Sequence, residues 1–280
     1  MLADCHIHMV LDGFDWRGAL ARHAHGPDIA WIRTQLQTYR DKGFTYLRDG
    51  GDRWGVGLCA RELACEYGIT YRTPLAPLCR KGHYGSFIGL TFDSYREFAE
   101  HVRTIRSDGG NFIKIMLSGL MNFDRFGVLS EAPLPEDEIR TLIRIAHDHN
   151  MAVMVHANGA RTVTAAATAG VDSVEHGAYL DNEAMSAMVE NGTVWVPTLS
   201  TVGNPIGKGR FSDPDLQKIL GSALENLRNF SAMGGLIAPG TDAGAWAVPH
   251  GSTTEYTLLE KAGISTELLS LGLRVIQEKF

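Results

Sequence analysis

The sequence predicts a single-domain parallel α/β protein, specifically a (β/α)8 TIM barrel over residues 1–280. Three observations predict it. Short apolar stretches alternate with helical stretches, giving eight strands. Connections from helix to strand are short, whereas several connections from strand to helix are long and polar. Polar residues stand at the carboxyl ends of strands, where barrels build active sites. A doubly wound open sheet is the alternative, but no glycine-rich phosphate turn follows the first strand.

The predicted elements follow one another regularly along the chain. The opening apolar run is the first strand, and each later strand follows a helix that ends at glycine or asparagine, the residues that favour the left-handed cap position. The predicted strands cover 2–9, 44–48, 69–78, 112–117, 151–156, 171–176, 193–197 and 236–241. The predicted helices cover 28–42, 54–67, 93–108, 136–149, 160–169, 182–190 and 213–233, with a helical tail over 252–280. The long loops that leave strands cover 10–27, 80–91, 118–135 and 198–213.

The composition is that of a soluble globular protein. Hydrophobic residues make up 44% and charged residues 21% of the chain. The formal net charge of -6 disfavours nucleic acid and anionic membranes as partners, and no apolar run approaches the roughly 20 residues of a membrane span. Four cysteines show no paired framework, and no secretory signal is evident. We therefore expect a cytoplasmic protein that acts on a small molecule, and the sequence leaves a homo-oligomer open.

The first strand carries a pair of histidines. Side chains two apart on a strand share a face, so His6 and His8 project together, with Asp4 below them. Two neutral imidazoles aimed at one point form half of a divalent metal site. Two histidines on a wet edge strand are the alternative interpretation. The positions of the later polar residues favour the metal site.

Four further polar residues occupy equivalent positions on later strands. Lys114 interrupts an otherwise apolar strand, while His156, His176 and Asp242 each close one. A single buried histidine at a strand end is more often a satisfied core residue than a ligand. Six polar groups at one height of a barrel, with nothing to neutralise them, would be very costly without a metal. The pattern therefore predicts a metal centre.

The motifs around these residues resemble those of the amidohydrolase superfamily, and more narrowly its imidazolonepropionase-like and prolidase-like branch. The matching stretches are Asp4-Cys5-His6-Ile7-His8, Arg48-Asp49-Gly50-Gly51, Ile113-Lys114-Ile115-Met116, Ser118-Gly119, Val155-His156-Ala157, Val174-Glu175-His176-Gly177, Val196-Pro197-Thr198-Leu199, Gly240-Thr241-Asp242 and Pro249-His250-Gly251. This branch usually adds a β-sandwich from segments flanking the barrel, and we expect those segments to be missing here.

The resemblance implies a binuclear metal site. His6, His8 and Asp242 would hold one ion, and His156 and His176 the other. Lys114, converted to an N6-carboxylate by CO2, would bridge the two ions. Zinc is the first expectation, and manganese, iron and cobalt also suit histidine with carboxylate.

The implied chemistry is hydrolysis. A hydroxide that bridges the metals would attack the substrate, and Asp242 would take its proton and pass it to the leaving amine. We expect cleavage of an amide-type C–N bond in a cyclic amide, an N-acyl amino acid or a dipeptide-like compound. The same site would serve an esterase, lactonase or phosphotriesterase. A metal-binding subunit without turnover is a further alternative, which the presence of Asp242 disfavours.

Loops at the catalytic face supply candidate substrate contacts. His83, Tyr84 and Tyr179 would line the pocket, with the first two in a Gly82-His83-Tyr84-Gly85 turn similar to one of the branch. Basic residues could receive a substrate carboxylate, and solvated loop cations are the alternative. These basic candidates are Arg80, Lys81, Arg48 and Arg125.

Overall fold

The computed structural model describes residues 2–280, which form ten strands and eleven α-helices. The strands are β1 Leu2–Ile7, β2 Phe44–Asp49, β3 Thr70–Arg72, β4 Leu78–Arg80, β5 Leu90–Phe92, β6 Ile113–Met116, β7 Val153–Ala157, β8 Ser173–His176, β9 Val194–Val196 and β10 Leu236–Ile237. The helices are α1 Trp16–Arg22, α2 Ile29–Asp41, α3 Val56–Ala64, α4 Tyr95–Ser107, α5 Glu136–Asp148, α6 Ala160–Thr168, α7 Asn182–Glu190, α8 Ser200–Gly203, α9 Asp213–Ala232, α10 Thr254–Lys261 and α11 Thr266–Lys279.

The strands form two parallel sheets. One sheet has the order β1-β2-β3, and the other has the order β10-β9-β8-β7-β6-β4-β5. The sheets adjoin at β1, where Cys5 N donates to Pro239 O at 2.8 Å and Asp242 N donates to His6 O at 2.7 Å. At the other side, no ladder pairs β3 with the second sheet within residues 2–280. The parallel α/β class is therefore confirmed, but the strands do not pair into one closed ring.

The predicted third strand, 69–78, is wrong as a single element. The structure divides it into β3 and β4, separated by residues 73–77. Pro74 and Pro77 lie in this stretch and lack the N–H that a ladder requires, and Leu75 has a left-handed backbone with φ of 65°. The predicted loop 80–91 also differs, because β5 lies at its end and pairs with β4.

Helices on the outside of the sheets begin at short polar residues. Asp28, Ser94, Asp181 and Ser265 accept a hydrogen bond from the backbone of the first helical turn. Apolar faces of α4 and α5 pack in the largest core cluster, against the strands of the seven-stranded sheet. No helix within residues 2–280 has the length and apolar content needed to cross a bilayer. This packing leaves the carboxyl ends of the strands open to a cavity.

Candidate active site

Three of the predicted ligands converge at the carboxyl end of β1. The Nε2 atoms of His6 and His8 lie 3.4 Å apart. Asp242 Oδ1 lies 3.5 Å from His6 Nε2 and 3.4 Å from His8 Nε2. In a tetrahedral zinc site with bonds of ~2.0–2.1 Å, ligand atoms stand ~3.3–3.4 Å from one another. The triangle therefore has the dimensions of three ligands around one ion.

Local backbone structure explains this convergence. His6 lies in β1 and His8 directly follows its last residue, so the two imidazoles, two residues apart, share one side, and both are nearly fully buried. His8 packs so closely on Gly50 that a Cβ there would lie 2.3 Å from the imidazole Cε1, so only glycine fits. Asp242 follows β10 in the left-handed region with φ of 58°, a conformation that aspartate tolerates better than most residues.

A buried carboxylate fixes the tautomer of His6. His6 Nδ1 donates to Glu175 Oε2 at 2.7 Å, which leaves Nε2 with its lone pair facing the triangle. Glu175 also accepts from Arg48 Nη2 at 2.8 Å and from Ser173 Oγ at 2.6 Å. His6, Glu175 and Arg48 have no exposed surface. A carboxylate behind a histidine in this way orients the ring and increases its basicity as a ligand.

The second predicted pair of histidines lies beside the first. The rings of His156 and His176 are 4.5 Å apart, and those of His6 and His176 are 5.0 Å apart. His176 Nδ1 pairs with Thr198 Oγ1 at 2.7 Å. His156 Nε2 donates to Gly119 O at 3.1 Å, and its Nδ1 has no hydrogen-bond partner among residues 2–280. Each ring thus has one nitrogen held by the protein and one available to a ligand.

Lys114, the predicted bridge, has no hydrogen-bond partner for its side chain among residues 2–280. Its side chain is fully buried, and Nζ makes no hydrogen bond within the described chain. Burial lowers the pKa of this ammonium to about 8, with Arg48 acting in the same direction against the carboxylates of Glu175 and Asp242. At pH 7 roughly a tenth of the Lys114 side chains would then be the neutral amine, which is the form that can react with CO2.

The electrostatics of the cluster fit a bound cation. Burial lowers the pKa values of His8 and His156 to about 3, so both rings are neutral and can act as ligands. Burial raises the pKa of Asp242 to about 8, and Oδ1 has no hydrogen-bond partner among the residues that the structure describes. Within this part of the chain, His8 Nδ1 and Lys114 Nζ are also buried without hydrogen-bond partners. Such orphaned buried polar atoms are costly, and cations would satisfy Asp242 Oδ1 and, after carboxylation, Lys114.

All six predicted ligands line one cavity of about 540 Å³. This volume lies within the ~300–1,000 Å³ of sites that hold small molecules. Most of the other lining residues are apolar or aromatic. They include Leu11, Phe14, Trp16, Tyr84, Phe87, Ile88, Met116, Leu120, Met121, Phe123, Phe211 and Trp246.

The seven predicted substrate contacts divide into one inside the cavity and six outside it. Tyr84 lines the cavity, and its ring lies 4.9 Å from that of His156. His83 lies outside it, with Nδ1 3.4 Å from Glu131 Oε1. Tyr179 also lies outside and packs on Phe126. The turn therefore presents the residue after its histidine to the cavity.

The basic substrate candidates also lie away from the cavity. Lys81 pairs with Asp93 at 2.9 Å, and Arg80 donates to the Asp93 carbonyl at 2.8 Å. Arg48 is buried against Glu175, and the expectation that it receives a substrate carboxylate is wrong because its charge is already neutralised. Arg125 is exposed and does not line the cavity.

Sequence reasoning gave no role to several residues of the site. Glu175 precedes His176 on β8, and a charged residue inside a buried strand was the available signal. The position of Asn158 in the sequence gave no signal of its role. Its side-chain amide donates to Gly119 O and lies 3.3 Å from His156 Nε2. Arg210 lines the cavity from the loop before α9, where charge alone does not distinguish it from a solvated cation.

Comparison with known proteins places the chain among enzymes of one family. A sequence profile described as the Amidohydrolase family matches residues 58–272. Ochratoxinase of Aspergillus niger is 28% identical over 235 residues, which cover 77% of this chain and 46% of that protein. The chain thus spans about half the length of this curated relative. An uncharacterized protein of Mycobacterium tuberculosis is 28% identical over 281 residues, covering 94% of this chain and 69% of the relative.

A solved structure shares the fold. A Xaa-Pro dipeptidase with methionine bound in its active site matches with a TM-score of 0.77 at 22% identity, covering 99% of this chain and 75% of that chain. The likeness extends over both sheets and therefore includes the face that carries the cavity.

Proposed function

The chain belongs to the amidohydrolase family, and from this premise we propose that it is a metal-dependent hydrolase that cleaves an amide-type C–N bond. The observation that carries the proposal is the triangle of His6, His8 and Asp242, with side-chain atoms 3.4–3.5 Å apart in a substrate-sized cavity. The substrate would be a cyclic amide, an N-acyl amino acid or a dipeptide-like compound. The dipeptidase named among the structural matches supports an amide rather than another electrophile.

We propose that two divalent ions belong to this site. The triangle would hold one ion, and His156 and His176 would hold the other. Lys114, as its N6-carboxylate, would bridge them, because its buried and unpartnered Nζ lines the same cavity. Zinc suits the tetrahedral spacing of the triangle, while manganese, iron and cobalt accept the same donors.

The protein's own groups account for the proton transfers. Bound divalent ions would supply acidification of a water molecule and polarisation of the scissile carbonyl. Asp242 faces the same cavity and would accept a proton from the attacking water through its carboxylate. It would then donate that proton to the amide nitrogen as the C–N bond breaks. The products are a carboxylic acid and an amine, which balances one water against one amide bond.

The proposed architecture is an interrupted (β/α)8 barrel. The hydrogen bonds between β1 and the segment after β10 support it, because they bring the first and last strands together. Residues 73–77 would be the interruption. This arrangement brings together ligands from two segments that are far apart in the sequence.

Replacing Asp242 tests the function. Asp242→Asn retains a similar shape and an oxygen ligand but loses the base, so we expect kcat for amides to fall by about 10²–10⁴-fold. Purified parent and variant would be assayed against lactams, N-acyl amino acids, dipeptides, esters, lactones and phosphotriesters, with metal content determined by elemental analysis. About two ions per parent chain are expected, with part of the metal retained in the variant.

The matched control is Asp148→Asn, a change to an exposed aspartate at the end of α5 that should leave every rate unchanged. Turnover of esters or phosphotriesters alone would favour the other hydrolase chemistry. Hydrolysis by Asp242→Asn at the parent rate would show the mechanism to be wrong. Metal binding with no turnover of the whole panel would indicate a non-catalytic metal protein.

A further inference from the structure

Aromatic side chains form two clusters along the cavity. The first cluster contains Trp16, Tyr84 and Phe87, with Phe87 5.6 Å from Trp16 and 5.9 Å from Tyr84 between ring centres. In the second cluster, Phe123 stacks on Phe211 at 4.9 Å, and Trp246 meets Phe211 edge-on at 5.6 Å. Flat aromatic surfaces of this kind favour apolar and aromatic ligands.

The side chain of Arg210 packs against the second aromatic cluster. The guanidinium of Arg210 lies 4.6 Å from the ring centre of Trp246 and 5.3 Å from that of Phe211. Arg210 is exposed and makes no ion pair with an acidic side chain among residues 2–280. Apart from Lys114, it is the only lysine or arginine that lines the cavity, as far as the described chain shows. Its charge is therefore available to a ligand.

Contacts between loops hold this cation in place. Ser212 N donates to Asp124 Oδ1 at 2.9 Å, which ties the Arg210 loop to the loop after β6. Asn204 Nδ2 donates to Ala247 O at 3.0 Å, which ties it to the loop after β10. An arginine stacked on aromatic rings loses less conformational freedom when it forms hydrogen bonds. The guanidinium is thus preorganised to bind a planar anion such as a carboxylate.

We propose that the cavity selects amides that carry both a bulky aromatic group and a carboxylate, and that Arg210 binds the carboxylate. The aromatic group would bury its faces against the two clusters, while the guanidinium pairs with the carboxylate oxygens. Hydrolysis of such compounds rests on the proposed function, but their binding does not. Arg210 is a specificity-determining residue in this proposal.

Binding to a variant with strongly reduced turnover tests the proposal. In the Asp242→Asn background, calorimetric titration would compare N-benzoyl-L-phenylalanine with N-benzoyl-L-phenylalaninamide, which differ only in the carboxylate. We expect Arg210→Gln to weaken binding of the acid by about tenfold or more, and to change binding of the neutral amide by less than about twofold. N-acetylglycine, which has a carboxylate but no ring, should bind at least about tenfold more weakly than the aromatic acid.

Lys208→Gln is the matched control, because Lys208 is exposed on the same loop and does not line the cavity. It should leave the affinity of both ligands unchanged. Equal effects of Arg210→Gln on the acid and the amide, or no effect on either, would overturn the proposal. Affinity of N-acetylglycine equal to that of the aromatic acid would also overturn it. If the aromatic acid binds as expected while no amide is hydrolysed by the parent protein, the proposed function fails and this inference stands.

Discussion

At the residue scale, the site depends on side chains that fix the chemical state of their neighbours. Glu175 holds the Nδ1 proton of His6, and Arg48 balances the charge of Glu175. All three are fully buried, so removal of any one would leave an unpaired buried group. The unprotonated state of His6 Nε2 therefore depends on Glu175 and Arg48 as well as on His6 itself. Without Glu175, the imidazole of His6 could carry its proton on Nε2, which faces the cavity, instead of on Nδ1.

Replacing Lys114 gives the sharpest test at this scale. Lys114→Ala removes the proposed bridge, so we expect it to lose metal and at least about 10²-fold in activity. Added acetate or propionate should restore part of both by standing in for the carbamate. Metal content and rate would be measured with and without the acid, and the parent protein with added acid is the control. A variant that retains its metal, or that no acid rescues, would contradict the bridging role.

The sequence predicted the convergence of the six ligand candidates more reliably than it predicted the residues that face the cavity from the loops. The six ligand candidates lie in one cavity because parallel strands present their carboxyl ends at one face. Their role as metal ligands stays a prediction. Which loop residue faces the cavity depends on turn conformation, which explains why Tyr84 lines it and His83 does not. Pairing partners are also invisible in sequence, since Asp93 neutralises Lys81 through the fold.

At the element scale, helix ends were easier to predict than short strands. Gly43 and Gly170 have left-handed backbones just beyond α2 and α6, as their sequence positions indicated. The predicted third strand failed because two short strands and the turn between them together look like one apolar run. Three-residue strands such as β5 have no periodicity of their own and are defined by their pairing partner.

The packing of α11 on β10 makes a quantitative prediction. Gly272 lies so close to this strand that an added Cβ would be 2.0 Å from the carbonyl oxygen of Ile237. We expect Gly272→Ala to lower the free energy of unfolding by at least about 1–3 kcal/mol, because the helix must move away from the backbone of β10. Urea unfolding followed by circular dichroism measures this change.

Gly221→Ala in α9 is the matched control for that measurement. A Cβ at Gly221 meets nothing within 4 Å, so alanine there should stabilise the protein by about 0.5–1 kcal/mol through helix propensity alone. Equal effects of the two substitutions would show that α11 does not pack on β10 as described.

At the scale of the whole molecule, the site requires two segments that are far apart in the sequence to meet. His6 lies in β1 and His8 directly follows it, both before the part matched by the family profile, while Asp242 lies toward the end of that part. The resemblance to the amidohydrolase family is confirmed by the profile, and the backbone bonds between β1 and the segment after β10 explain how the ligands come together. The proposed metal site thus joins the two sheets.

The buried carboxyl groups of Asp49 and Glu255 predict how the free energy of unfolding depends on pH. Asp49 at the end of β2 accepts from Met9 N, and Glu255 in α10 accepts from Ser200 N and Leu199 N. Burial raises the pKa of Asp49 to about 7, with Asp52 adding to it, and burial raises that of Glu255 to about 8. Below these values the folded protein keeps protons that the unfolded chain releases near pH 4, so ionisation at higher pH favours unfolding.

We therefore expect these two carboxylates together to contribute a decrease of on the order of 2–3 kcal/mol to the free energy of unfolding between pH 6.5 and 9. Glu255→Gln removes one titrating group, so its stability should change less with pH, whatever its absolute value. Urea unfolding at several pH values measures both slopes, and the exposed Glu190→Gln is the control that should follow the parent. Neither Asp49 nor Glu255 is among the metal-ligand candidates, so chelated and metal-loaded protein should both show the loss. If the stability of Glu255→Gln changes with pH as much as that of the parent, the Glu255 carboxylate is ionised in the folded protein throughout the range, and the prediction is wrong.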